Sequence, residues 1–145
     1  LLVRTADCLP VFFAETQRGA VGLAHAGWRG LSAGVLARAV AVFRHAFHAP
    51  AEQLHVAIGP AIRGCCYEVG PEFVDRFGRH VRTADGARRC DLVAAAVEQL
   101  TGCGVPPERI LDSGVCTACD TSRWFSLRRE GPSTGRLASF ITVKP

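Results

Sequence analysis

The chain has 145 residues, nearly half of them apolar, and a formal net charge of +4. That suffices for one domain with a real core and no need of disulfide support. No apolar run approaches the roughly 20 residues that span a bilayer, no secretory leader is visible at the start, and the basic excess lacks the interleaved aromatics of a nucleic-acid platform.

The expectation is therefore no membrane and no nucleic-acid partner. The basic residues gather in Arg79 to Arg89 and Arg123 to Arg136. They read as a solvated face, or as a site for a small anion such as phosphate. Seven cysteines, an odd number, favour free or metal-bound thiols in a reducing, cytoplasmic setting. Methionine is absent, and the chain opens inside an apolar run, Leu1 to Val3. Positions 1–145 are expected to form a single domain that is the C-terminal portion of a longer protein.

In chain order, Leu1 to Ala6 and Pro10 to Ala14 are short apolar runs broken by Asp7-Cys8. Gln17-Arg18-Gly19 reads as a hairpin turn, and Ala20 to His25 as a buried strand. The Gly27 to Gly30 turn feeds a helix from Leu31 to Phe47. Leu31, Val35, Leu36, Ala39, Val42 and Phe43 form its core stripe, and Pro50 lies beyond its end. Leu54 to Ile58 and Cys65 to Val69 read as strands, and Pro71 to Phe77 as a helix with proline in its first turn. Arg79 to Arg89 reads as a polar surface loop. Asp91 caps a helix to Leu100, stopped by Gly102 and Gly104. Ile110-Leu111 is a brief strand, and a cysteine-bearing loop runs from Asp112 to Arg123. Trp124 to Leu127 and Leu137 to Val143 complete the strands. The irregular alternation predicts a mixed sheet.

Two segments carry the chemistry, TADCLP (Thr5 to Pro10) and HAGWRG (His25 to Gly30). They put a thiol, Cys8, and an imidazole, His25, at the ends of adjacent strands. Thiolate and neutral imidazole are both zinc ligands, and a catalytic zinc takes three protein ligands and keeps a place for water. The same types suit a Cys-His thiol hydrolase, and a buried cysteine beside a hydrogen-bonded histidine is the third reading. Asp7 is placed to orient an imidazole as its outer partner. In the Gly27-Trp28-Arg29-Gly30 turn, glycines admit a ligand close to the backbone, and Arg29 offers a forked donor for phosphate. The alternative is a plain strand-to-helix turn with Arg29 solvated.

Cys116 and Cys119 form a lone C-x-x-C, with no second pair at suitable spacing. Cys65 and Cys66, neighbours on a predicted strand, are expected to face opposite sides, one of them toward the core. Arg128 and Arg129 likewise point opposite ways if Trp124 to Leu127 continues as a strand, so one of them can reach an anion. His45, His48, His55 and His80 are scattered and receive no role.

TADCLPV, HAGWRG-L-x-x-GV, IGPAI-x-x-CCYEVG, ILDSGVCT and FS-x-RR with TGR-x-ASFI occur in this order from Thr5 to Ile141. With these motifs the chain resembles the YfiH/laccase-domain family, also called the multicopper polyphenol oxidase family. The resemblance implies a cytoplasmic protein of mixed α+β class, a four-layer α/β/β/α sandwich with two mixed sheets. It implies zinc bound by one Cys and two His. Cys8 and His25 match two of these, and the third belongs to a V-H-G segment well before TADC. It implies a purine nucleoside phosphorylase acting on adenosine, inosine, guanosine and methylthioadenosine with phosphate, and deaminating adenosine. Arg29, and less directly Arg128 or Arg129, become the phosphate contacts. Alternatives are an amidase-type thiol hydrolase or peptidoglycan-editing protein, or the copper polyphenol oxidase of the older family reading, for which the histidines are too few. A monomer or homodimer is expected. Leu127 stands where the family usually carries Tyr, and Ala96 where Asn is common.

Overall fold

The computed structural model describes residues 1–143; Lys144 and Pro145, the end of the expected domain, lie outside them. After a first strand, β1 (Leu2–Thr5), the run LPVFFAE forms β2 (Leu9–Glu15) and pairs antiparallel with β3 (Ala20–Ala26), from Leu9↔Ala26 to Glu15↔Ala20. The turn closes on a buried carboxylate: Glu15 accepts from the backbone N–H groups of Gln17 (3.1 Å) and Arg18 (2.7 Å). β4 (His55–Ile58) runs antiparallel to the other edge of β2, and β7 (Ile110–Asp112) runs parallel to β4. This gives a four-stranded mixed sheet in the order β3-β2-β4-β7. β2 has a neighbour on both edges, and its residues are buried except Phe12 and Ala14, which are half-buried. That explains an apolar run without strict alternation. β1 pairs antiparallel with β8 (Leu137–Phe140), so the two ends of the described chain meet.

The class is mixed α+β, as expected, with several details altered by local chemistry. The helix expected over Leu31 to Phe47 is two, α1 (Trp28–Ser32) and α2 (Val35–Phe47). Gly34 lies between them with φ of 75°, a left-handed conformation that a right-handed helix cannot pass through. Gln99 satisfies the broken ends: its amide donates to the Leu31 carbonyl at 3.1 Å and accepts from the Leu36 N–H at 3.0 Å. Within α2, Leu36, Val40 and Phe43 are buried, whereas Val42, expected in the stripe, is exposed. Gly22 of β3 lets Phe43 sit directly on the sheet, since a Cβ there would lie 2.8 Å from the ring.

The polar stretch expected as a loop holds a hairpin, β5 (Val81–Ala84) and β6 (Ala87–Cys90). Its turn residues, Asp85 and Gly86, both have positive φ, the signature of a tight two-residue turn. Cys65 to Val69 is not a strand: the N–H groups of Cys66 and Tyr67 both turn back to the Arg63 carbonyl at 2.9 Å. Trp124 to Leu127 is not a strand either. Ser126 caps a four-residue helix, α5 (Leu127–Glu130): its hydroxyl accepts from the Arg129 N–H at 3.3 Å, and Glu130 accepts from the Ser126 N–H at 2.9 Å. Arg128 and Arg129 therefore sit on a helical turn. The remaining helices follow the sequence closely: α3 (Glu72–Phe77) begins after Pro71, and α4 (Leu92–Gly102) is capped by Asp91, which accepts from Ala94 at 3.0 Å. Among the described residues no helix is long and apolar enough to cross a membrane.

Candidate active site

The strand pairing determines what faces what. Pro10 lies opposite His25, and Cys8 comes two residues before Pro10, at the mouth of the hairpin. Gly27 follows β3 at the same mouth; a Cβ on it would lie 2.9 Å from the Cys8 sulfur. Glycine here leaves the thiol its room. Cys8 and His25 line one cleft of about 580 Å³, together with Asp7, Trp28, Arg29, Tyr67, Leu127 and Arg128 among others. His25 is exposed to it and Cys8 is half-buried. A larger hollow, about 670 Å³, lies apart between α1, α3 and α4 and holds none of the expected residues.

Both arginines of the cleft rest on aromatic rings. The Arg29 guanidinium sits 4.4 Å from the Trp28 ring centroid, and that of Arg128 sits 4.9 Å from Tyr67. Such stacking holds a guanidinium's plane while leaving its edge donors free. Arg128 also donates through its side chain to the Glu68 carbonyl. Arg129 is exposed and does not line the cleft.

Asp7 has a structural task different from the expected one. It is buried, in a left-handed conformation with φ of 82°. One carboxylate oxygen accepts from the Thr117 hydroxyl and the other from the Arg128 backbone N–H, each at 2.7 Å. Its carbonyl accepts from Ile62 at 2.9 Å. Asp7 thus fastens two distant loops to the hairpin mouth, and its carboxylate is engaged by Thr117 and Arg128 instead of by an imidazole. Burial, with the Asp7 charge adding to it, pushes the Cys8 thiol pKa up.

Other expectations resolve by position. Leu127 lines the cleft, while Ala96 is fully buried in α4, away from it. Only His25 among the five histidines borders the cleft. His80 contacts Glu98, and His55 lies 3.1 Å from Arg109. Among the described residues no third His, Cys, Asp or Glu joins Cys8 and His25 in a tight ligand set.

The sequence reading missed a second constellation. Cys65, Cys66, Cys116 and Cys119 bring their sulfurs within 4.8 Å of one another. The lone C-x-x-C does have a partner pair, the adjacent Cys65-Cys66. The turn around Arg63 aims both of their thiols at Cys119, at 3.6 and 3.5 Å, instead of to opposite faces. The adjacent cysteines signalled it only to a reader who expected a turn there. All seven cysteines are free thiols. Burial, followed by the neighbouring thiols, pushes Cys65 up to about 11 and Cys66 further. Burial also works to raise Cys116, but the backbone bonds from Arg63 and Ala118 together with those from the Cys65 and Cys119 thiols outweigh it and bring that thiol below the ordinary cysteine value.

The purine nucleoside phosphorylase YlmD of Geobacillus stearothermophilus is 39% identical over 145 residues, covering 94% of this chain and 53% of YlmD. Adenosine deaminase RL5, from an unknown prokaryotic organism, is 37% identical over 98% of this chain and 57% of its own length. The crystal structure of YlmD superposes with a TM-score of 0.94 at 38% identity, covering 100% of this chain and 57% of that one. The chain therefore spans somewhat more than half the length of these relatives. Because the family model described as multi-copper polyphenol oxidoreductase laccase matches residues 1–144, the chain belongs to that family.

Proposed function

We propose that this chain carries the cleft of a zinc-dependent purine nucleoside phosphorylase, acting on adenosine, inosine, guanosine and methylthioadenosine with phosphate and also deaminating adenosine. The supporting observation is the gathering of Cys8, His25, Arg29 and Arg128 around one cleft with aromatic walls. The donor chemistry fits zinc: a thiol and an imidazole lining one open cleft. In this reading the third donor comes from outside the described residues. Bound there, zinc would supply Lewis-acid activation of a nucleophile or leaving group.

The chain's own residues supply the remaining functions. Arg29 and Arg128 hold phosphate through charge-assisted bonds. Trp28 and Tyr67 give a planar base apolar surface to lie against. Asp7 positions α5, and with it the Arg128 backbone, at the cleft edge. The runner-up, a thiol hydrolase with Cys8 as nucleophile, has less support. Burial and Asp7 push that thiol up, and an unassisted thiolate nucleophile requires the opposite. A multicopper oxidase would need several histidines at one place, and this cleft has His25 alone.

Metal analysis and nucleoside turnover of the full protein test the reading. Zinc at the cleft with phosphate-dependent release of free purine is the expected result. Turnover that survives complete metal removal would overturn it.

A further inference from the structure

The cluster of Cys65, Cys66, Cys116 and Cys119 lies outside the cleft residues just described. Its geometry suits one cation well. Zinc–sulfur bonds of about 2.3 Å at tetrahedral angles put the sulfurs roughly 3.8 Å apart. Cys119 already stands 3.6 Å from Cys65 and 3.5 Å from Cys66, and all four sulfurs fall within 4.8 Å. Little movement separates this arrangement from a closed thiolate tetrahedron. Four sulfur donors at that spacing select zinc or iron over harder ions.

The placement of the cluster in the fold gives it a task. β4 and β7 are parallel neighbours, so the loops that leave their C-terminal ends emerge side by side. Cys65 and Cys66 are on the first loop and Cys116 and Cys119 on the second. A backbone bridge, Ala61↔Cys116, joins the loops at their base, with Thr117 N–H donating to the Ala61 carbonyl at 3.1 Å. Each loop then contributes to the cleft at the very next residue. Cys66 precedes Tyr67, which lies under Arg128, and Cys116 precedes Thr117, which donates to Asp7. Both loops reach Arg128, one through the Tyr67 ring and one through Asp7.

We propose that Cys65, Cys66, Cys116 and Cys119 bind a structural zinc ion as four thiolates, and that this ion staples the β4 and β7 loops together and so fixes the Tyr67 and Asp7–Arg128 wall of the cleft. The four thiol protons pass to solvent as the ion binds, and no electron is transferred. The site is closed, with every position taken by sulfur, so it has no place for a substrate. It is independent of any metal at Cys8 and His25.

The test uses the full chain carrying Cys8→Ser, which removes the thiolate of the first site. The purified variant is expected to retain about one zinc, with X-ray absorption showing only sulfur neighbours at about 2.3 Å. Cobalt put in its place is expected to show the visible bands of a tetrahedral thiolate complex. Four of the six thiols left in this variant, Cys65, Cys66, Cys116 and Cys119, should resist a thiol reagent until a strong chelator is added. In a Cys116→Ser/Cys119→Ser variant with Cys8 intact, the sulfur-only signal should vanish, and phosphate affinity should fall at least about threefold as the Arg128 wall loosens. If that variant does not fold, the spectra of Cys8→Ser still decide. A metal-free Cys8→Ser protein whose four cluster thiols react without any chelator would overturn the proposal. So would a disulfide from Cys119 to Cys65 or Cys66, or iron or copper as the resident metal. Undiminished turnover in Cys8→Ser with an intact sulfur-only zinc signal would count against the cleft reading alone.

Discussion

The cleft and the thiol cluster use the same element for opposite ends. At the cleft, Cys8 shares an open space of about 580 Å³ with one exposed imidazole and two stacked arginines. At the cluster, four thiols face one another with their sulfurs all within 4.8 Å. A catalytic metal needs a vacant position, whereas a structural one is saturated by the protein. Donor number alone would rank the cluster as the better metal site. The cleft is better placed for chemistry, because its donors are incomplete and its walls carry groups that bind anions and rings. Asp7 lies between the two regions and ties them through Thr117 on one side and Arg128 on the other.

The sharpest way to separate the regions is to remove one thiol from each. Cys8→Ala in the full protein is expected to abolish cleft metal and to lower nucleoside turnover by well over about 100-fold, since even outer-shell changes cost 10- to 100-fold. Metal at the cluster should be unchanged. Stoichiometric metal at both places in Cys8→Ala, read by metal analysis and X-ray absorption, would show that Cys8 is no ligand.

Asp7→Asn probes the tie itself. The amide keeps one oxygen for an N–H or O–H donor but turns an NH2 toward the other. The oxygen keeps the Arg128 N–H and the NH2 can donate to the Thr117 oxygen, but the Thr117 hydroxyl proton loses its acceptor and both bonds lose the carboxylate charge, at a cost of about 1–3 kcal/mol. Urea unfolding should show that loss, together with a raised KM for phosphate. Unchanged stability would mean that Asp7 does not hold the loops.

The legible and illegible parts of the chain divide along the same physical line. The β2–β3 hairpin, the body of α2, α4 with its Asp91 cap, and the presence of Cys8 and His25 at one hairpin mouth are legible because they rest on local signals: apolar runs, a turn, a capping carboxylate. The resemblance to a family fixed the class, and the superposition on YlmD agrees with it. The break at Gly34 was harder to read, since its compensation comes from Gln99, 63 residues from Leu36. The Asp85-Gly86 hairpin was readable and overlooked: its turn dipeptide was present, but arginines obscured the strands. The thiol cluster could not be read from spacing. It joins residues some 54 positions apart and depends on β4 and β7 being parallel neighbours, a fact of topology. Arg128 was placed on a strand because Ser126 was not recognised as a helix cap, and the Asp7–Arg128 contact, 121 residues apart, leaves no local trace.

Acid should loosen the cluster's surroundings. Asp112, at the end of β7, holds Arg63 through two bonds of 2.8 and 2.5 Å, just before Cys65. The Arg63 hydrogen bonds hold its carboxyl below the ordinary 3.8, against a smaller opposing effect of burial. A depressed carboxyl stabilises the fold at every pH above the unfolded value, and that contribution is lost as pH falls through the folded one. In protein stripped of metal, stability should therefore drop below about pH 4, and the Asp112→Asn variant should lose part of that drop. Denaturation midpoints across pH 2 to 6 measure this, and identical acid profiles for the two proteins would remove Asp112 from the account.

The smallest expected effect is at Leu127, where the family usually carries Tyr. Its side chain is 44% exposed, lines the cleft and precedes Arg128. Leu127→Tyr should leave stability within about 0.5 kcal/mol, because a partly exposed position at the start of a short helix has little packing to disturb. The phenol adds a third ring beside those of Trp28 and Tyr67, and a hydroxyl that can donate or accept. The substitution adds binding surface and a phenol that stays neutral near pH 7, so the chemical step should be untouched. The KM for nucleoside is thus expected to change by a few-fold, about 1 kcal/mol or less, with kcat constant. Steady-state kinetics on two purine nucleosides that differ in their base would read it. A large fall in kcat would place residue 127 among the groups that meet the reacting atoms, and no change in KM for either base would move the nucleoside away from the α5 side of the cleft.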